Sequence, residues 1–290
     1  MNRIVGVFLV RNEEYFIAWS LMNAVNFCDE IIVLDNLSTD RTREVVDNIA
    51  SIHDHINVIE VRNANNTQKY LEKYFGTSTW VLGIDGDEIH DPIGLQRMRT
   101  RIQLGEFDHL WSVASRYLHV TEFDFNGCVV RGYPSPPAKA GLKLYNFNAI
   151  ENWQSKWRKR ERLHGKGLEF RDGYSKQQTY SFSKETVWDA ADFRCLHLCF
   201  FRRSSQDKTN SSSKVLSTRK NPAESRILRR ITRTIEQLNP NSSDYRKKRY
   251  ARGEVQSFDL SNFGKPDDFA SVDSNCDEVM AYLRNFRVVI

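Results

Sequence analysis

The chain has 290 residues, of which 40% are hydrophobic, 27% charged and 12% aromatic, with a formal net charge of +5. That much apolar and aromatic surface excludes a disordered chain, and no run approaches the ~18 apolar residues that a membrane span requires. The charge is uneven: residues 202–252 hold fifteen Lys or Arg against four acids, while residues 254–290 are net acidic.

The start, MNRIVGVFLVRNEE, superficially resembles a signal peptide, but it lacks a small-residue cleavage site and ends in charges, so Ile4–Val10 reads as a first buried strand. Asn12 is placed to cap a following helix whose apolar residues Phe16, Ile17, Leu21, Ala24 and Val25 recur at helical spacing. Ile31–Leu34 is a second strand ending at Asp35, after which Ser38 or Thr39 starts a helix carrying Val45, Val46, Ile49 and Ile52. Asn57–Val61 predicts a third strand, residues 67–75 a third helix with Leu71 and Tyr74 on one face, and Trp80–Ile84 a fourth strand ending at Asp85. Strand and helix in this rhythm predict an α/β fold with a mostly parallel sheet flanked by helices.

Past residue 106 the rhythm changes. Residues 109–120 and 142–147 read as strands around a Pro/Gly-rich loop, RGYPSPPAKAG, and residues 151–192 as an irregular, aromatic substrate-binding part. Residues 192–201 form another strand-like run. Its Cys195 and Cys199 read as buried thiols, and reduced cysteines with no C-x-x-C pair fit a cytoplasmic protein. After a Ser/Thr/Lys-rich linker from residue 204, Asn221, Pro222 and Glu224 open a helix with the stripe Ile227, Leu228, Ile231, Ile235 and Leu238. The expected organisation is a catalytic domain over 1–203, divided into a ligand-binding half (1–105) and an acceptor half (106–203). A linker and a basic α-helical extension would then occupy 204–290.

In open parallel sheets, ligands bind beyond the carboxyl ends of the strands. Three polar clusters fall at such ends: Arg11-Asn12-Glu13-Glu14, then Asp35 to Asp40, and Asp85-Gly86-Asp87-Glu88. Crowded carboxylates repel one another unless a cation or donors satisfy them. In the third cluster Gly86 admits a close approach, and the alternate carboxylates of Asp85 and Asp87 suit a hard cation, Mg²⁺ or Mn²⁺, bridging a pyrophosphate. Alone, D-x-D is weak; terminating the apolar strand WVLGI after three β/α units makes it specific.

RNEE, then DEIIVLDNLSTDRT, then WVLGIDGDE resemble the inverting family 2 glycosyltransferases of GT-A (Rossmann-like) fold, in the branch that reads NE, D-N-x-S-T-D-x-T and W-x-x-x-x-D-x-D-E. The resemblance is strong over residues 4–92 and thin afterwards. It implies a nucleoside diphosphate sugar as donor, UDP by default, with Asp35 at the base and Asn12, Glu13 and Asp40 lining the same pocket. Asp85 would reach the ribose or sugar, Asp87 would ligate the metal, and Glu88 would orient a metal-bound water or cap the next helix. CLHLCFFRRSSQDK resembles the family's later His-containing strand. That implies His197 as a metal or diphosphate contact and Arg203 or Lys208 as leaving-group stabiliser, against the alternative of a core histidine.

Inversion needs a general base on the acceptor hydroxyl; Asp189 is the first candidate and Asp192 the second, with Glu185 and Glu169 also open. Trp153, Trp157 and Trp188 could stack on acceptor sugars or pack in the core. The acceptor would be a glycan, a lipid-linked glycan or a protein. The basic 202–252 segment suggests peripheral contact with the inner face of a membrane rather than nucleic acid. A pyrophosphorylase is disfavoured because the loop after the first strand lacks glycine. A degenerate GT-A module binding glycan or nucleic acid is the remaining alternative.

Overall fold

A computed structural model of the chain describes residues 1–62, 64–153, 167–207 and 249–286. The helix expected from residue 222, its arginines 226, 229, 230 and 233, Trp157 and Lys208 lie outside the described residues.

Strand β1 (Arg3–Val10), helix α1 (Ile17–Ala24), β2 (Glu30–Asp35), α2 (Thr42–Ile52), β3 (Ile56–Glu60) and β4 (Thr79–Ile84) follow the expected rhythm. β1 lies between β2 and β4 and parallel to both, and β2 carries β3. Alternation along β1 covers both faces of this sheet: Ile4, Phe8 and Val10 enter one core, and Val5, Val7 and Leu9 the other. The third expected helix is absent. Residues 64–70 and Glu72–Tyr74 form 3-10 turns instead, and Leu71 and Tyr74 are still buried. A three-residue turn places i and i+3 on one side, so the apolar spacing did not separate the two geometries.

Two helix starts also differ from expectation. Asn12 does not cap α1; its Oδ1 accepts from the Thr39 N–H at 2.8 Å. α2 begins at Thr42, whose N–H donates to Asp40 Oδ1 at 2.9 Å, beyond the expected Ser38 or Thr39.

After β4 the chain makes β5 (Glu88–His90), α3 (Pro92–Gln103), β6 (Ser112–Ala114), β7 (Arg116–Asp124), β8 (Val129–Pro134), β9 (Leu142–Asn146) and β10 (Ile150–Trp153). Then come β11 (Leu168–Phe170), β12 (Thr179–Ser181), α4 (Phe182–Glu185), β13 (Arg194–His197), β14 (Gln256–Asp259) and α5 (Cys276–Asn285). The first sheet has the order β12-β6-β9-β4-β1-β2-β3 and a second has β14-β8-β7-β13-β5. The single strand expected over 109–120 therefore breaks at Ser115, and its halves enter different sheets. Asp91, not Glu88, caps α3, accepting from Ile93 and Gly94 N–H groups.

Helix α1 wedges between the sheets: Ile17 and Leu21 face one core, Phe16 and Trp19 the other. Eight residues are too few for an isolated helix, so tertiary contacts hold it. Ser20 Oγ donates to the Glu88 carbonyl at 2.8 Å, and Trp19 Nε1 to the Phe263 carbonyl at 2.7 Å. Residues 249–286, expected to lie in a separate extension, instead add β14 to β8 and pack α5 into the second core. Trp153 and Trp188 are core side chains rather than a stacking platform. All five cysteines are free, with Cys195 and Cys199 buried and Cys128 exposed. Among the described residues no helix is long and apolar enough to cross a membrane.

His90 is fully buried, stacked on Phe193 with ring centroids 5.3 Å apart. Burial, and then nearby Lys143, push its imidazole down to about 3. An unfolded histidine titrates near 6.5, so below that value the unfolded chain binds the extra proton. Stability should therefore fall as pH drops from about 6.5 towards 3, by up to about 1.4 kcal/mol per unit from this group. His90→Phe is thus expected to flatten the slope of urea-unfolding free energy between pH 4.5 and 6.5, and an unchanged slope would assign the pH dependence elsewhere.

Candidate active site

The parallel strands run β3-β2-β1 on one side and β4 on the other, so the connections leave β1 and β4 in opposite directions. This is a topological switch point, where the loops part and leave a crevice at the carboxyl ends. Glu13 follows β1 and Asp85 ends the turn out of β4, which brings both to that crevice. Gly86 lies against Glu13: a Cβ built there would meet Glu13 Cβ and Cγ at 3.0 Å. Glycine is favoured at this position by close approach rather than by φ.

The loops after β1 and β2 are bound to each other. Arg11 donates to the carbonyls of Asn36 at 2.6 Å and Leu37 at 3.1 Å, and the Asn12 N–H donates to Ser38 Oγ at 3.1 Å. Asn12 has φ of 53°, a conformation asparagine tolerates better than most residues. Asp35 is buried at the end of β2, where its Oδ1 accepts from the Ser38 N–H at 3.1 Å. Asp40 sits at the head of α2, as described above.

Antiparallel pairing sets His197 of β13 opposite Glu88 of β5, and the Leu198 N–H donates to the Asp87 carbonyl at 2.9 Å. His197 Nε2 then lies 3.6 Å from Asp87 Oδ2. Arg203 bridges the two loops, with NH1 2.7 Å from Glu13 Oε1 and NH2 2.5 Å from Asp87 Oδ2. Glu14 holds the Arg203 segment in place: its Oε1 accepts from Ser204 Oγ, the Ser205 N–H and Ser205 Oγ at 3.0, 2.7 and 2.6 Å.

Behind Asp85 lies Lys143 of β9, 2% exposed, with Nζ 3.0 Å from Asp85 Oδ2 and 3.2 Å from Glu88 Oε2. Glu88 also accepts from the Asp85 N–H at 3.1 Å and from Tyr117 OH at 2.9 Å. It is an internal hub rather than a water-orienting acid. Burial, with Asp87 and Asp85 beside it, raises the Glu13 carboxyl well above the ordinary range against the pull of Arg203. Burial lowers the Arg203 guanidinium, but Asp87, Glu13 and Asp85 outweigh it and hold the guanidinium charged.

This cluster gathers four carboxylates, Glu13, Asp85, Asp87 and Glu88, around two side-chain cations, Lys143 and Arg203, among the described residues. Glu13 Oε2 is buried without a hydrogen-bond partner among the described residues, and hard carboxylate oxygens beside an imidazole suit Mn²⁺ or Mg²⁺. The donor set therefore fits a divalent metal.

The expected bases are not brought to this cluster. Asp192 is held by Arg97 at 2.6 Å and Arg101 at 3.0 Å, and Asp189 is 81% exposed beside Arg194. Arg194 opens β13 and His197 closes it, three residues or roughly 10 Å apart along a strand. Asp192→Asn is expected to leave sugar transfer within about threefold and to cost at most about 1 kcal/mol, as for other half-exposed ion pairs. A thousandfold rate loss with an unchanged melt would restore Asp192 as the base.

Lys143, Tyr117 and His119 were missed from the sequence, and Glu14, though part of RNEE, was given no role. Each lies far along the chain from its partners, and the first three belong to no motif. Lys143 alone left a signal, as a charge in the otherwise apolar run LKLYNF.

The fold and this carboxylate-rich crevice define a class, and residues 8–182 match the family model described as glycosyl transferase family 2. The chain belongs to that family. Among solved structures it is similar to a mannosyltransferase from Pyrobaculum calidifontis in complex with GDP-Man and Mn²⁺, at 20% identity over 39% of this chain and 35% of that one, with a TM-score of 0.32. It is also similar to glucosyl-3-phosphoglycerate synthase from Mycobacterium tuberculosis in complex with Mn²⁺, UDP-Glc and phosphoglyceric acid, at 25% identity over 40% of this chain and 44% of that one, with a TM-score of 0.29. The match thus spans less than half the length of either relative. No curated protein matches the chain.

Proposed function

We propose that the protein transfers a sugar, with inversion, from a nucleoside diphosphate sugar, a UDP-sugar first, to a glycan, lipid-linked or protein acceptor. The observation that carries this reading is the convergence of Glu13, Asp85, Asp87, His197 and Arg203 at the switch point. Asp87 and His197 would hold Mn²⁺ or Mg²⁺, and the cation would neutralise the departing diphosphate. Asp35 accepts from the base, while Asn12, Glu13 and Asp40 shape the pocket wall around it. Asp85, held by Lys143, is presented to ribose or sugar hydroxyls. Arg203, once released from Glu13 and Asp87, offers a charged donor to the leaving phosphate.

The test is thermal unfolding with a panel of nucleotide sugars in Mn²⁺ and in EDTA. A ligand at a hundred times its Kd adds about 2.7 kcal/mol to the folded state. One nucleotide series is expected to raise Tm with Mn²⁺ and to lose that effect in EDTA. Equal shifts in EDTA would remove the metal from the donor site, and no shift with any nucleotide would sink the reading. The peripheral membrane role of residues 202–252 remains a separate proposal. Co-sedimentation with anionic vesicles, unchanged after charge reversal of Arg226, Arg229, Arg230 and Arg233, would rule it out.

A further inference from the structure

His119 and His197 are register partners on the parallel strands β7 and β13, so their side chains stand side by side on one face of the second sheet. Their Nδ1 atoms are 2.9 Å apart, and His119 Nε2 is 2.9 Å from the Lys139 carbonyl. Both rings are buried, and the Tyr250 ring covers His119 with centroids 4.5 Å apart.

The hydrogen count then follows. A carbonyl only accepts, so His119 carries its proton on Nε2. A neutral imidazole carries one proton, so this hydrogen bond leaves none on the Nδ1 of His119. His119 Nδ1 is therefore a bare acceptor, and the proton between the rings belongs to His197 Nδ1. A neutral His197 with that proton has a lone pair on Nε2, the nitrogen that faces Asp87 Oδ2 at 3.6 Å.

We infer that His119 is a positioning residue that holds His197 in the tautomer able to ligate metal through Nε2. This rests on the reading that Asp87 and His197 hold the divalent cation. A closed metal site on His119, His197 and Cys199 is the competing use of the same side chains. Ligand bonds of about 2.0–2.1 Å to nitrogen and 2.3 Å to sulfur put tetrahedral neighbours roughly 3.3 Å (N···N) and 3.5 Å (N···S) apart. The nitrogens here are closer than that, at 2.9 Å, and Cys199 Sγ is farther, 4.0 Å from His119 Nδ1. The two distances miss in opposite directions, and the shorter is that of a hydrogen bond.

The experiment has two arms. In metal-free protein with ¹⁵N-labelled histidine, long-range ¹H–¹⁵N correlation spectra should show His119 protonated on Nε2 and His197 on Nδ1; His197 protonated on Nε2 overturns the inference. In the second arm, free Mn²⁺ is counted by its EPR signal during titration of wild type, His119→Phe, His119→Gln and Cys199→Ser. His119→Phe should weaken Mn²⁺ binding by about 10–100-fold, the usual cost of losing a hydrogen-bond partner behind a metal ligand. His119→Gln, which can still accept from His197 and donate to Lys139, should stay within about threefold of wild type, as should Cys199→Ser. Wild-type affinity in His119→Phe, or a zinc equivalent in the purified protein lost in both His119→Phe and Cys199→Ser, overturns the proposal. If wild type binds no Mn²⁺ while the spectra show the stated tautomers, the metal reading fails and the assignment of His119 to the tautomer stands.

Discussion

Asp87→Asn is expected to abolish the Mn²⁺-dependent part of donor binding and to lower sugar transfer by about 10³-fold or more, roughly 4 kcal/mol of transition-state stabilisation. Asp87 is fully buried between Arg203 and His197. The amide keeps the shape of the side chain and leaves its backbone carbonyl bonded to Leu198, so the fold should persist. What changes is charge: the group between Arg203 and His197 becomes neutral, and its hold on a divalent cation weakens. Arg203 keeps Glu13 as a partner and should become a tighter, less displaceable plug in the crevice. Steady-state transfer and thermal shifts with and without EDTA measure the two effects. An Asp87→Asn protein that binds the Mn²⁺–nucleotide pair as wild type does would remove Asp87 from the metal site.

Lys143→Met should be the most destabilising single change at the site. The ammonium is buried and stands between Asp85 and Glu88, two carboxylates that would otherwise face each other inside the protein. Removing one member of a buried ion cluster leaves uncompensated charge and costs about 3–5 kcal/mol, even though the methionine fills a similar volume. For a domain of this size about 2–4 °C of Tm accompanies each kcal/mol, so a fall of roughly 6–20 °C is expected. Lys143→Met with Glu88→Gln should recover a good part of the loss, because the neutral amide removes one of the two facing charges, and its oxygen still accepts from the Asp85 N–H while its NH2 donates to the Tyr117 hydroxyl oxygen. If the double variant melts no higher than the single one, the cost comes from packing and not from charge.

Much of the first sheet was legible in the chain. β1, β2 and β4 are apolar runs covered on both faces, a pattern that depends only on local order, and each ends at a polar cluster, whereas β3 at the sheet edge is only partly covered. The third helix failed because Leu71 and Tyr74 satisfy helical and 3-10 spacing alike. The strand at 109–120 was overrun because nothing local marks Ser115 as the point where one sheet hands over to the other. Trp153 and Trp188 were ambiguous in principle, since an aromatic ring that stacks on sugar and one that packs in a core carry the same side chain.

For the site, the sequence by itself determined the acidic clusters Asn12-Glu13, Asp35 to Asp40 and Asp85-Gly86-Asp87, because turns at the carboxyl ends of parallel strands place them within a few residues of their strands. Only the tertiary structure decided which cations meet them. Lys143 reaches Asp85 by antiparallel pairing of β9 with β4, His197 reaches Asp87 by pairing of β13 with β5, and Arg203 is delivered by the bond of Glu14 to Ser204 across 190 residues of chain. Only the structure, too, drew residues 249–286 into the second core and carried Asp189 and Asp192 away from the crevice. The reason is one of range. Backbone geometry propagates a pattern over a turn or a strand, while charge pairing and burial are satisfied by whatever the completed sheet brings within a few ångströms.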